Sequence, residues 1–144
     1  MSSRLFQNIR EAHGVAYQIF SFINLYRDTG SFGVYLATDP AKRDLAVELT
    51  LTELEKMVKD PVSDAELEMV KAQYKSGIVM GDESMERRMM RLGRQQIYYG
   101  ENIGLDKFLK KIEAIDVERI QVLARELFNP DRFFTSILEP ASAV

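Results

Sequence analysis

The feature that most constrains this chain is an abrupt change of period around one glycine, in the stretch REAHGVAY. Before it, Leu5, Phe6 and Ile9 share one face at helical spacing, with Ser2 or Ser3 placed to cap the helix and Gly14 just past its end. After it, Val15 to Tyr26 is mostly β-branched or aromatic. The turn sequence RDTGS then leads into Ser31 to Thr38, where Phe32, Val34 and Leu36 alternate with Gly33, Tyr35 and Ala37. A short helix must therefore reverse directly into an antiparallel hairpin. A lone hairpin is at best marginally stable in water, so helices have to cover one of its faces.

The rest of the chain supplies them. Asp39 is an N-cap followed by Pro40 at the first helical position, and Val47, Leu51, Leu54 and Val58 form an apolar stripe. Ser63 and Glu66 have capping-box spacing, with Val62 and Leu67 placed as a hydrophobic staple. Gly77, Gly81 and Gly93 predict a broken helix and a further one ending at Gly100. Asp106 to Ile115 reads as a short helix, and Asp116 caps a last one whose Ile120, Leu123, Ala124 and Leu127 share a face before NPD stops it. RFFTSILEP closes as a strand. The expected fold class is α/β of the two-layer α+β kind, with helices packed on one face of a small, largely antiparallel sheet. At 144 residues this is one domain over 1–144, with 141–144 a frayed tail.

Several functions are disfavoured at once. The net charge of -3 gives no general field for nucleic acid or anionic membranes, so no nucleic-acid partner is expected. With no Cys, disulfides, thiolate catalysis and Cys-based metal sites are ruled out. One His without H-x-x-E-H or H-E-x-x-H cannot build the usual catalytic zinc site, so no metal is expected on this chain. No run of about 18 apolar residues suggests a membrane span, and the N-terminus does not read as a signal peptide, which points to a cytoplasmic location. The glycines follow neither Walker nor Rossmann spacing, and no G-x-S-x-G elbow accompanies His13, which reads as a polar turn residue.

Two clusters remain. Arg87, Arg88, Arg91 and Arg94 lie at helical spacing and are compatible with RNA or a membrane surface, but Met85, Met89 and Leu92 on the other side describe a core helix with a solvated face equally well. A methionine-rich partner interface is a third reading. Arg10 and Tyr17 stand seven residues apart, one near the helix end and one in the returning strand. An Arg fork and a phenol at one rim can orient a peptide carbonyl and stabilise charge developing on its oxygen, by roughly 3 kcal/mol per donor. The ordinary alternative is an Arg paired with a carboxylate and a Tyr packed in the sheet.

MSSRLFQNIREAHGVAYQIFSF, followed by DTGSFGVYLATDP, closely resembles the second homologous half of the insulinase/pitrilysin zinc metallopeptidases, especially processing-peptidase-like members. AELEMVKAQYKSGIVMGDESMERRMMRLGRQQIYYG is similar to that family's later helices, IEAIDVERIQVLARELFNP to its closing helix, and FFTSILEP to its last strand. The chain departs at His13 and Val15, where members often carry a basic residue and Leu. The resemblance implies that H-x-x-E-H and a distal Glu ligand, and so the zinc, belong to a first half missing here. It also implies that Arg10 and Tyr17 are the transferable site residues, Tyr17 bonding near the scissile carbonyl and Arg10 binding substrate backbone or the developing oxyanion.

The function so implied is the substrate-binding C-terminal part of a zinc endopeptidase acting on peptides or unfolded segments, inactive alone. Its expected partners are a zinc-bearing half-domain or subunit, peptide substrate, and further copies of the chain through surface left uncovered. The alternative is a non-catalytic partner or assembly subunit of a processing-peptidase-like complex. A weaker third is a binding module using the Arg87 to Arg94 face.

Overall fold

The computed structural model describes residues 3–140, in two compact units: one runs to Asp60 and resumes at Leu123, and the other is Pro61–Val122. The frayed tail expected at 141–144 and the capping alternative Ser2 lie outside the described residues.

In the first unit the opening helix forms where expected but is a π-helix, Phe6–Ala12. Ser3 caps the α-helical residues Arg4 and Leu5 that lead into it, the Oγ accepting from the Phe6 N–H at 3.3 Å. Gly14 ends it at φ 57°, with the Gly14 N–H on the Arg10 carbonyl at 3.1 Å and the Val15 N–H on the Ile9 carbonyl at 3.2 Å. That is a glycine-terminated helix end, widened to match the π turn. The chain then reverses into β1 (Ala16–Leu25), which pairs antiparallel with β2 (Gly30–Thr38).

The hairpin sorts its side chains by register. Ile19 faces Leu36 and Ser21 faces Val34 on the side that packs against Ile9, Val15 and Ala46. Ile9 and Ala46 are fully excluded from solvent, and Leu5, Phe6 and Leu49 complete this core. The other side carries Phe20 stacked on Tyr35, ring centroids 5.0 Å apart, and Phe22 lying over Gly33. A Cβ on Gly33 would fall 2.4 Å from the Phe22 ring, so glycine here is what lets the ring lie flat across the sheet. This outer face stays about half exposed.

Asp39 caps a 3-10 turn, Pro40–Lys42, by accepting from the Ala41 N–H at 2.8 Å, and the chain continues as α1 (Arg43–Lys59). The buried face of α1 is Ala46, Thr50, Glu53 and Leu54, one step around from the apolar stripe read in the sequence. Leu51, expected inside, is exposed. Small Ala46 and Thr50 allow close approach, and the Thr50 hydroxyl donates back to the Ala46 carbonyl, so it is buried without an orphaned group.

The second unit holds α2 (Asp64–Asp82), α3 (Met85–Tyr99) and α4 (Leu105–Glu113); α5 (Val117–Leu127) begins there and ends in the first unit. Ser63 accepts from the Glu66 N–H at 3.2 Å, Ser84 from the Arg87 N–H, and Asp116 from the Arg119 N–H at 2.8 Å. The break falls after Gly81, and Gly100 closes α3 at φ 70°. Lys71 is buried with its ammonium on Glu68 Oε1 and on the Glu113 carbonyl, and Lys75 pairs with Glu113 Oε2 at 2.6 Å, which joins α2 to α4.

The fold class is as expected: helices packed with a two-stranded antiparallel sheet. Three details differ. Residues 133–140 are not a strand, because the sheet's ladder joins only β1 to β2, and β-propensity without a ladder partner does not make a strand. Phe134 and Leu138 in that segment are 91% and 99% exposed, and the segment is held by an ion pair from Glu139 to Arg43 at 2.6 Å. Met85 and Met89, expected on a core face, are exposed, and Leu123 is exposed on α5. No helix among the described residues is long and apolar enough to cross a membrane.

Two outcomes follow from these contacts. Gly14→Ala meets no steric clash, so its cost is the left-handed backbone alone: a loss of about 1–2 kcal/mol in denaturant unfolding, partly recovered by Gly14→Asn. The Lys75 hydrogen bond and charge hold the Glu113 carboxyl below its ordinary value of 4.5. A depressed carboxyl stabilises the fold fully above its unfolded value and loses that contribution as pH falls. The stability gap between wild type and Lys75→Met is therefore expected to be open at neutral pH and to close as pH drops below 4.5, in unfolding midpoints measured across that range.

Candidate functional site

The helix-to-strand junction concentrates the irregular backbone of this chain. Arg10 sits in the π-helix, and π segments are rare and recur at functional sites. On the strand side the register runs Ala16 with Thr38 and then Gln18 with Ala37, so Tyr17 is an extra, unpaired residue: a β-bulge at the first turn of β1. Bulges re-aim side chains. Ala16 remains buried, while Tyr17 is 71% exposed. The ordinary expectation that this Tyr packs in the sheet does not hold.

Arg10 is also exposed. Its guanidinium lies 4.9 Å from the Phe6 ring centroid, a cation–π contact that holds the stem and leaves the fork open. Among the described residues no carboxylate pairs with it. Two outward-facing donors thus emerge on either side of Gly14, each from a distorted element.

Polar ties fix the junction beneath them. The Lys42 ammonium donates to the Gly14 carbonyl at 3.2 Å, and the Thr38 hydroxyl donates to the Val15 carbonyl at 2.6 Å. His13, the residue read as a turn residue, places its Nδ1 on the Asn8 carbonyl. A carbonyl only accepts, so Nδ1 carries the proton in that bond. The Asn8 side-chain amide donates to Glu53 Oε2 at 2.7 Å, and Glu53 Oε1 accepts from Lys56 at 2.6 Å. Asn8, Thr38, Lys42 and Glu53 were not singled out by sequence reasoning. The one signal for them is that Glu53 is an acidic residue on the same helix face as Ala46 and Thr50.

Elsewhere, Arg91 is committed to structure: its guanidinium takes Asp82 Oδ1 at 2.6 Å across the break between α2 and α3. The cluster of four arginines therefore does not present itself as one free basic face. Gln95 on the same helix is buried and accepts from the Ile103 N–H at 3.1 Å. The residues do not fit a zinc centre, since there is one His and no Cys, and among the described residues no three of His, Cys, Asp or Glu are grouped to hold a metal.

Against this geometry, residues 1–74 match the family model described as Peptidase M16 inactive domain. An uncharacterized zinc protease of Mycobacterium tuberculosis is 35% identical over 140 residues, which is 97% of this chain and 32% of that protein. A probable mitochondrial-processing peptidase subunit alpha-1 of Arabidopsis thaliana is 31% identical over 120 residues, 83% of this chain and 24% of that protein. The chain thus spans about a third or less of the curated relatives it matches. In fold, a chain of Candida albicans complex III superimposes with a TM-score of 0.76 at 20% identity, covering 88% of this chain and 30% of that one. The matched segment contains the π-helix, Gly14, the bulge and α1, and the chain belongs to the peptidase M16 family through that family's inactive domain.

Proposed function

We propose that this chain, as one half-domain over 1–144, is the substrate-holding part of a zinc-dependent endopeptidase whose metal and general base lie on another half. The observation that carries this reading is the pairing of a π-helix at Arg10 with a bulge at Tyr17, which leaves both side chains exposed beside one fixed glycine. Strained or irregular backbone persists only where its surroundings hold it, and it clusters at sites of binding and catalysis. The relatives' names, zinc protease and mitochondrial-processing peptidase subunit, support the same class of activity.

In this mechanism the zinc half supplies the Lewis acid, and this chain supplies donors. The Tyr17 hydroxyl donates to the scissile carbonyl or its neighbour. The Arg10 fork aligns the peptide by donating to a backbone carbonyl, and whichever donor meets the scissile oxygen binds it more strongly as negative charge builds there. Because they address the backbone, selectivity for side chains is low, which suits unfolded segments. The half-exposed aromatic face around Phe20, Phe22 and Tyr35 is surface that a further half or copy would cover, and a cytoplasmic location belongs to the same reading. The family description "inactive domain" also favours a second reading, a partner subunit without catalysis of its own.

The deciding experiment is chelator-sensitive cleavage of an unstructured peptide by the full-length protein, with Tyr17→Phe alongside. Loss of the hydroxyl is expected to lower kcat by at least about tenfold with the fold unchanged. A full-length protein that does not cleave with zinc supplied favours the partner-subunit reading.

A further inference from the structure

We propose that Glu53 is a positioning residue: from α1 it fixes the π-helical segment that carries Arg10, and so sets where the guanidinium meets substrate. The inference rests on the reading of Arg10 as a substrate contact. Glu53 is only 6% exposed, although acidic side chains are seldom buried unless something holds them. Its two oxygens are divided between tasks. Oε1 takes the ammonium of Lys56, whose side chain is 53% exposed, so the charge is balanced from the solvent side. Oε2 reaches 45 residues back to the Asn8 amide at 2.7 Å.

Asn8 is clamped at both ends of its residue. Its side chain is held by Glu53, and its main-chain carbonyl takes the His13 ring N–H. Ile9, next in sequence, is fully buried, and Arg10 follows directly. The carboxylate thus grips the π-helix two residues before the functional side chain, with the buried Ile9 between them preventing rotation of the segment. A hydrogen bond to a charged acceptor is stronger and more directional than a neutral one, which suits a clamp.

Burial alone is a different role, and it can be told apart. Where a buried ion pair serves only to fill space, apolar residues of similar volume are neutral or stabilising. Glu53→Leu and the double variant Asn8→Leu/Glu53→Leu fill that space without the bond. Glu53→Gln keeps an acceptor for Asn8 without the charge.

The test uses the chain's single His as reporter. Imidazole nitrogen NMR of the 144-residue chain reads the His13 Nδ1–H bond to Asn8 directly. Denaturant midpoints monitor stability, and peptide cleavage by the full-length protein gives kcat/KM. The expected result is that both Leu variants fold, lose the His13 signature and drop kcat/KM by about 10- to 100-fold, while Glu53→Gln restores the signature and most of the activity. An unchanged His13 signal in the folded Leu variants overturns the proposal. So does kcat/KM that merely follows the midpoints, or failure of Glu53→Gln to rescue. If the wild type does not cleave at all, the proposed function fails by itself, and the His13 signal with its rescue still decides whether Glu53 sets the segment.

Discussion

The reversal at Gly14 is the constraint on which the first unit depends. Ile9 from the π-helix and Val15, Ala16 and Ile19 from the chain beyond it must all meet Ala46 in one core, although only five residues separate Ile9 from Val15. Gly14 makes that reversal at φ 57°, a conformation that a residue without a Cβ adopts at little cost. Everything near it serves that turn. Lys42 and Thr38 donate to the carbonyls of Gly14 and Val15, and the His13 ring to that of Asn8.

The same reversal explains the exposure of two bulky polar side chains. In a regular ladder the alternation that buries Ile19 would send Tyr17 to the same side, and the helix end that buries Ile9 would run on without widening. Widening the helix and adding one residue to β1 frees Arg10 and Tyr17 from that pattern without disturbing the core. The buried polar tie from Glu53 to Asn8 then gives the widened segment one position instead of several. Core packing, backbone irregularity and donor placement thus meet around one turn.

Much of this was legible because its signals are local. Gly14, the RDTGS turn, the caps at Ser3, Asp39, Ser63 and Asp116, and the stop at Gly100 each act within a few residues of themselves. What was not legible depends on distant partners. The π-helix is tied through Asn8 to a carboxylate 45 residues away, and the bulge shows only in the register with β2. Residues 133–140 have strand composition but no ladder, and the Met85 and Met89 stripe has helical spacing but no cover. On α3 the covered positions are Arg91, Leu92 and Gln95, so of the stripe only Leu92 is covered, beside two polar residues that make specific bonds. Arg10 and Tyr17 came from resemblance, since their spacing alone allowed a plainer reading.

The central claim is that Arg10 and Tyr17 engage one stretch of peptide backbone together. The most direct measurement is a set of intermolecular NOEs between an isotope-labelled unstructured peptide and the full-length protein, observed at the Arg10 side chain and the Tyr17 ring. The predicted result is contact from the same peptide residue, or its immediate neighbour, to both side chains. Contacts confined to the outer hairpin face or to α3, with none at Arg10 and Tyr17, would contradict it.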